Sequence, residues 1–106
     1  MARTLIHVPP FPRRGEVMEI RTTIAHVMET GFRPDGDGKP VPRDILRRFT
    51  CKYNGEQVFS AELAPAISAN PYITFFVTAT TSGPLTLTWE GDNGFAQTET
   101  VNLNVA

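Results

Sequence analysis

The chain has 106 residues, is 41% hydrophobic and 20% charged, and carries a formal net charge of −1. These values suit one domain, residues 1–106, built on one core, and they exclude a disordered tail. No apolar run approaches the ~18–20 residues that cross a bilayer, so no membrane role is expected.

Charge is unevenly distributed. All ten Lys and Arg fall within residues 1–52, against six acids, a net of +4; residues 53–106 hold five acids and no base, a net of −5. Interleaved strands would mix these charges, whereas segregated halves would orient a charged partner. The near-neutral total argues against nucleic-acid binding, which wants a basic domain with stacking aromatics. An acidic protein partner is the better match to the basic segment.

Along the chain, Met1–Pro10 does not read as a signal peptide, because its apolar stretch is short and broken by His7 and two prolines. Arg13-Arg14 fails as a twin-arginine signal, since Gly15-Glu16 and Glu19 stand where an apolar region should begin. Period-two alternation predicts seven strands: Thr4–Val8, Val17–Ala25, Ile45–Tyr53, Val58–Leu63, Ile73–Ala79, Leu85–Glu90 and Val101–Val105. Frequent threonine and β-branched residues agree. The expected fold is all-β, an immunoglobulin-like sandwich of about seven antiparallel strands. Core faces are assigned to Met18, Ile20, Thr22 and Ile24; to Ile45, Phe49, Cys51 and Tyr53; to Ile73, Phe75, Val77 and Ala79; and to Leu85, Leu87 and Trp89.

Parity of paired residues selects the turns, because directly opposed residues share a face. A three-residue loop, Tyr53-Asn54-Gly55, would set Phe49 against Phe59 and Lys52 against Glu56. A loop of Asp92-Asn93-Gly94 sets Leu85 against Val101. Both predict glycine, Gly55 and Gly94, at positive φ. Gly31–Arg43 reads as a long loop whose prolines forbid regular pairing, of the kind that is often functional. Pro65–Pro71 reads as one helical turn at a crossover between sheets.

Chemistry-bearing motifs are sparse. His7 and His26 are the two histidines and no third nitrogen or sulfur ligand has suitable spacing, so no metal is assigned. Asp35-Gly36-Asp37-Gly38 resembles the start of a calcium loop, but Lys39 and Leu46 stand at its fifth and twelfth positions, where oxygen ligands are needed. No phosphate cradle, nucleophile elbow or cofactor motif occurs, and no catalytic residue is assigned. Cys51 is expected to be a buried, inert hydrophobe. Phe75 and Phe76 are adjacent and must face opposite ways. If Phe75 is inside, Phe76 points out beside Tyr72, and Val58 similarly opposes Phe59. A crossing loop or a partner could cover them. Arg43, Arg47 and Arg48 form a basic group after the long loop.

Several blocks in order, Met28-Glu29-Thr30-Gly31-Phe32-Arg33, Lys39-Pro40-Val41-Pro42-Arg43-Asp44-Ile45, Tyr53-Asn54-Gly55, Pro65-Ala66-Ile67-Ser68-Ala69-Asn70-Pro71 and Trp89-Glu90-Gly91-Asp92-Asn93-Gly94-Phe95, resemble SoxZ, the small subunit of the SoxYZ thiosulfate-oxidation carrier. The resemblance runs from about Arg3 to the C-terminus. It implies a non-enzymatic subunit without cofactor. Its partner would be SoxY, an immunoglobulin-like protein whose flexible C-terminal arm carries sulfur intermediates on one cysteine. It implies a periplasmic location, reached by export with SoxY, and transient docking of Sox enzymes. It leaves a homodimer open as the state of the isolated chain. Val58, Tyr72, Phe76, Arg43, Arg47 and Arg48 are the candidate interface residues. A free-standing immunoglobulin-like binding module and a small hydrolase using His7 or His26 are the rival readings.

Overall fold

Alternating side chains become a sandwich when each sheet buries one face against the other. In the computed structural model, which describes residues 1–106, seven strands do this: β1 (Thr4–His7), β2 (Val17–Ile24), β3 (Leu46–Tyr53), β4 (Glu56–Glu62), β5 (Tyr72–Thr78), β6 (Gly83–Gly91) and β7 (Ala96–Leu103). They form a three-stranded sheet, β1-β2-β5, and a four-stranded sheet, β4-β3-β6-β7, with every pairing antiparallel. This is the expected immunoglobulin-like architecture. No helix is long and apolar enough to cross a membrane.

The predicted core faces point inward. Met18, Ile20, Thr22 and Ile24 of β2, Phe49, Cys51 and Tyr53 of β3, Phe75 and Val77 of β5, and Leu85, Leu87 and Trp89 of β6 are all buried. Phe49 is the hub. Its ring lies 5.2 Å from Trp89 on its own sheet and 5.6 Å from Phe75 on the other. Phe59 stacks on Phe75 at 4.6 Å. These tilted and stacked contacts join the two sheets through aromatic surface.

Strand β3 departs from simple alternation where it begins. A register shift between Leu46 and Arg48 marks a bulge at Arg47. It lets Ile45 and Leu46 both bury and turns Arg47 outward. The bulged backbone comes so close to β6 that a Cβ at Gly91 would sit 2.5 Å from the Ile45 carbonyl oxygen. Gly91→Ala is therefore expected to lower the melting temperature measurably. A melt unchanged within about 1 °C would show that the backbones part at little cost.

The two hairpins divide. The second follows its predicted register, with Leu85 opposite Val101, and Asn93 joins Gly94 at positive φ. The first does not. Tyr53 pairs with Glu56 across a two-residue turn in which Asn54 and Gly55 have φ of 51° and 83°. A register shift between Cys51 and Lys52 then brings Cys51 opposite Phe59 and Phe49 opposite Ala61. The extra residue at Val58 restores the matching of apolar faces that the turn alone would break.

Two connections also differ from expectation. Pro65–Pro71 carries the chain between sheets, but it holds one β-turn, closed by the Ile67 amide donating to the Ala64 carbonyl, and no helix. Two flanking prolines and Asn70 at φ 54° leave no room to propagate a helix. The segment after β2 is a self-paired arm. Glu29 bridges Asp44, Pro34 bridges Pro40, and the Val41 amide donates to the Arg33 carbonyl. Its prolines fall where no ladder donor is needed. At its tip, Oδ1 of Asp35 accepts from the Asp37 and Lys39 amides. Residues 32–40 are all exposed, and the molecule measures 58 × 20 × 20 Å.

Candidate interaction surface

The two outer faces of the sandwich differ in chemistry. Outward positions of the four-stranded sheet carry Arg48, Thr50, Lys52, Ser60, Thr86, Thr88, Glu90, Thr98 and Thr100, with no large apolar side chain. A hydroxyl ladder crosses it, with Thr88 and Thr98 oxygens 3.0 Å apart. Such a face is fully solvated at no cost.

The three-stranded sheet is the opposite case. Its cross-strand rows read Leu5, Thr23, Tyr72; then His7, Arg21, Thr74; then Glu19, Phe76; then Val17, Thr78. Leu5, Val17, Tyr72 and Phe76 are each more than 60% exposed, at 69%, 63%, 61% and 63%. An exposed apolar side chain is ordinary singly, but four on one sheet face make it the candidate contact surface. In their midst Glu19 and Arg21 form an ion pair at 3.1 Å, which raises the Arg21 pKa further, chiefly through the hydrogen bond to Glu19. Tyr72 and Phe76 were legible as outward aromatics. Leu5 and Val17 were missed; their signal was an apolar residue at an outward position of a strand.

Val58 lies apart from this face, 39% exposed on the bulge of β4. Phe76 reaches the same groove, which runs between the edges of β4 and β5 and is floored by Tyr53 and Val77. Val58 thus continues the apolar surface around the sandwich edge.

The three arginines share one groove with Glu62, Leu63 and Pro65, yet they are not equivalent. Arg43 grips the Asp92 carboxylate with two hydrogen bonds of 2.8 and 2.9 Å, and Arg47 approaches it at 3.3 Å. Asp92 also accepts from the Ile45 amide at 3.1 Å. The Arg43 hydrogen bonds, helped by that amide and by Arg47, hold the Asp92 carboxyl below the usual carboxylate range. Asp92 thereby ties the base of the arm to the β6–β7 turn, a role its sequence position did not reveal. Arg48 makes no ion pair within 4.0 Å and stands between Glu62 and Glu90 in its cross-strand row.

Asp92 gives a pH-dependent prediction. Its folded pKa lies below the unfolded value of about 3.9, so its stabilisation is complete at neutral pH and is lost as pH falls through the folded value. Asp92→Asn is expected to melt lower than the parent near neutral pH, with the difference closing in strong acid. A constant difference across that range would remove the carboxylate as its cause.

The histidines do not form a site. His26 accepts the Met28 amide on Nδ1 at 3.0 Å, packs edge-on to Phe95 at 5.5 Å, and sets Nε2 3.7 Å from Asp44. It braces the arm where Met28 holds a φ of 50°. His7 is exposed on β1. No three His, Cys, Asp or Glu side chains come together to hold a metal ion.

Cys51 is fully buried, and burial pushes its thiol up to about 11. A thiol held in this way stays protonated near neutral pH, and the protonated form is a far weaker nucleophile than the thiolate. An Ellman-type reagent near pH 8 is expected to label it only after denaturation. Labelling of the native protein at the rate of a free thiol would refute its burial.

A superoxide reductase (neelaredoxin) from Ignicoccus hospitalis shares the fold with a TM-score of 0.72 and 13% identity, over 99% of this chain and 82% of that one. An engineered variant of it gives 0.73 and 13%, over 99% and 81%. A Thermotoga maritima protein provisionally assigned as a superoxide reductase gives 0.67 and 15%, over 97% and 85%. At such identities the likeness is one of fold. No curated protein matches the chain by sequence. The family profile described as Sulphur oxidation protein SoxZ matches residues 6–102. The chain therefore belongs to the SoxZ family and has its place in a sulfur-oxidation system.

Proposed function

We propose that the chain is the non-catalytic scaffold subunit of a SoxYZ sulfur carrier. It pairs with SoxY in the periplasm, and the cysteine arm of SoxY carries the sulfur intermediates of thiosulfate oxidation. The observation that supports this most is the contrast between the outer faces, one without a large apolar side chain and one bearing Leu5, Val17, Tyr72 and Phe76. An apolar face opposite a solvated one is what a subunit with one covered side presents. The burial of Cys51 agrees, because it leaves the carrier thiol to the partner.

Tyr72 and Phe76 are the apolar anchors for SoxY in this reading, with Val58 at the rim. Oxidative footprinting tests it. On adding SoxY, labelling of Tyr72 and Phe76 is expected to fall severalfold, while the four-stranded face keeps its reactivity. Unchanged labelling of both aromatics would place SoxY elsewhere, and failure of SoxY to bind at all would favour the free-standing module.

Visiting Sox enzymes dock transiently, steered by charge at the arginine groove. Arg43 and Arg47 are committed to Asp92, so Arg48 is the arginine available to them. Arg48→Glu is expected to slow turnover in a reconstituted system and to flatten its dependence on salt. Turnover equal to the parent at low salt would exclude Arg48.

A further inference from the structure

We infer that, without SoxY, the outer face of the β1-β2-β5 sheet closes on a second copy of the chain about a two-fold axis, and that SoxY displaces that copy. The displacement rests on the proposed function; the dimer does not.

The face complements itself. Glu19 and Arg21 lie on its central strand, one on each side of the inward-facing Ile20. A two-fold axis in the interface plane, crossing β2 at Ile20 perpendicular to the strands, reverses the strand direction of the second copy. It therefore sets Glu19 against Arg21 of the second copy, and Arg21 against its Glu19. The ion pair that each chain holds internally at 3.1 Å becomes a closed ring of four alternating charges. The same axis lays β5 over its counterpart, so the two Phe76 side chains come together on the β5 side of the ring and cover it there. An isologous interface requires a patch that complements itself in this way. The four-stranded outer face has no apolar anchors with which to compete.

The ring makes the test specific. Sedimentation velocity of the parent chain, without SoxY and at tens of micromolar, is expected to give twice the mass of one chain. Arg21→Glu leaves two acids facing two acids, and Glu19→Arg leaves four bases together; each is expected to weaken the dimer by about tenfold or more. Mixing these two variants in equal amounts is expected to restore a dimer, because an all-acid face then meets an all-basic one. Phe76→Ser is expected to abolish it. Circular dichroism checks that each variant is folded. A monomeric parent overturns the inference, as does a dimer indifferent to Phe76→Ser or unrestored by mixing. SoxY added to the parent is expected to convert the homodimer into a one-to-one complex. A ternary species holding two copies of this chain and SoxY would overturn the displacement, whereas a homodimer that SoxY never binds would count against the proposed function alone.

Discussion

Phe49→Ala is expected to destabilise the fold by about 3–5 kcal/mol, the usual cost of truncating a fully buried phenylalanine. Phe49 is inaccessible to solvent and touches the aromatic surface of both sheets, through Trp89 and Phe59 on one and Phe75 on the other. Truncation leaves a cavity where the sheets meet, and the three remaining rings, held by their strands, cannot collapse to fill it. A domain of this size has only about 5–15 kcal/mol in total. The melting temperature should therefore drop by about 15–30 °C. Lys52→Ala, exposed on the same strand, should change it little. A loss below about 1 kcal/mol for Phe49→Ala would mean that the aromatic cluster does not join the sheets.

Replacing both Tyr72 and Phe76 by aspartate should weaken SoxY binding by about a hundredfold or more while leaving the fold intact. Each side chain is over 60% exposed in the isolated chain, at 61% and 63%, so folding gains little from either. Binding would desolvate both. Central aromatic anchors at protein interfaces typically contribute about 2 kcal/mol or more each, and a buried unpaired carboxylate adds its own cost. Thr100→Asp, an exposed outward position of the four-stranded sheet, is the matched control and should leave affinity unchanged. Titration calorimetry decides between the two faces. Equal affinities for the double variant and the parent would remove β5 from the interface.

Most of the core was legible because it is local. Leu85, Leu87 and Trp89 alternate within one strand, and the register of β6 with β7 follows from matching that face to Val101 across a three-residue loop. The first hairpin was misread because a three-residue loop and a two-residue turn followed by a bulge both restore face matching; only the backbone at Val58 distinguishes them. The arm was read as a long loop without regular pairing because Pro34, Pro40 and Pro42 lack amide donors, and it holds only isolated bridges, to which the amides of Asp35 and Val41 add bonds the sequence did not reveal. The candidate interaction face was half legible. The Phe75-Phe76 pair forces one ring outward whatever the fold. Leu5 and Val17 join it only because β2 lies between β1 and β5, an order set by long-range pairing. Asp92 was invisible as an organiser because its arginines come from far along the chain, and one of them turns outward only through the bulge at Arg47.

In the proposed function this chain contributes surfaces, while the sulfur rides on its companion. Intact-mass spectrometry of the reconstituted SoxYZ pair during thiosulfate turnover tests it most directly. All sulfur-bearing mass increments are expected on SoxY, with this chain at its unmodified mass and Cys51 as a free thiol. A persulfide or thiosulfonate increment on this chain, mapped to Cys51 and appearing at the rate of turnover, would contradict the account.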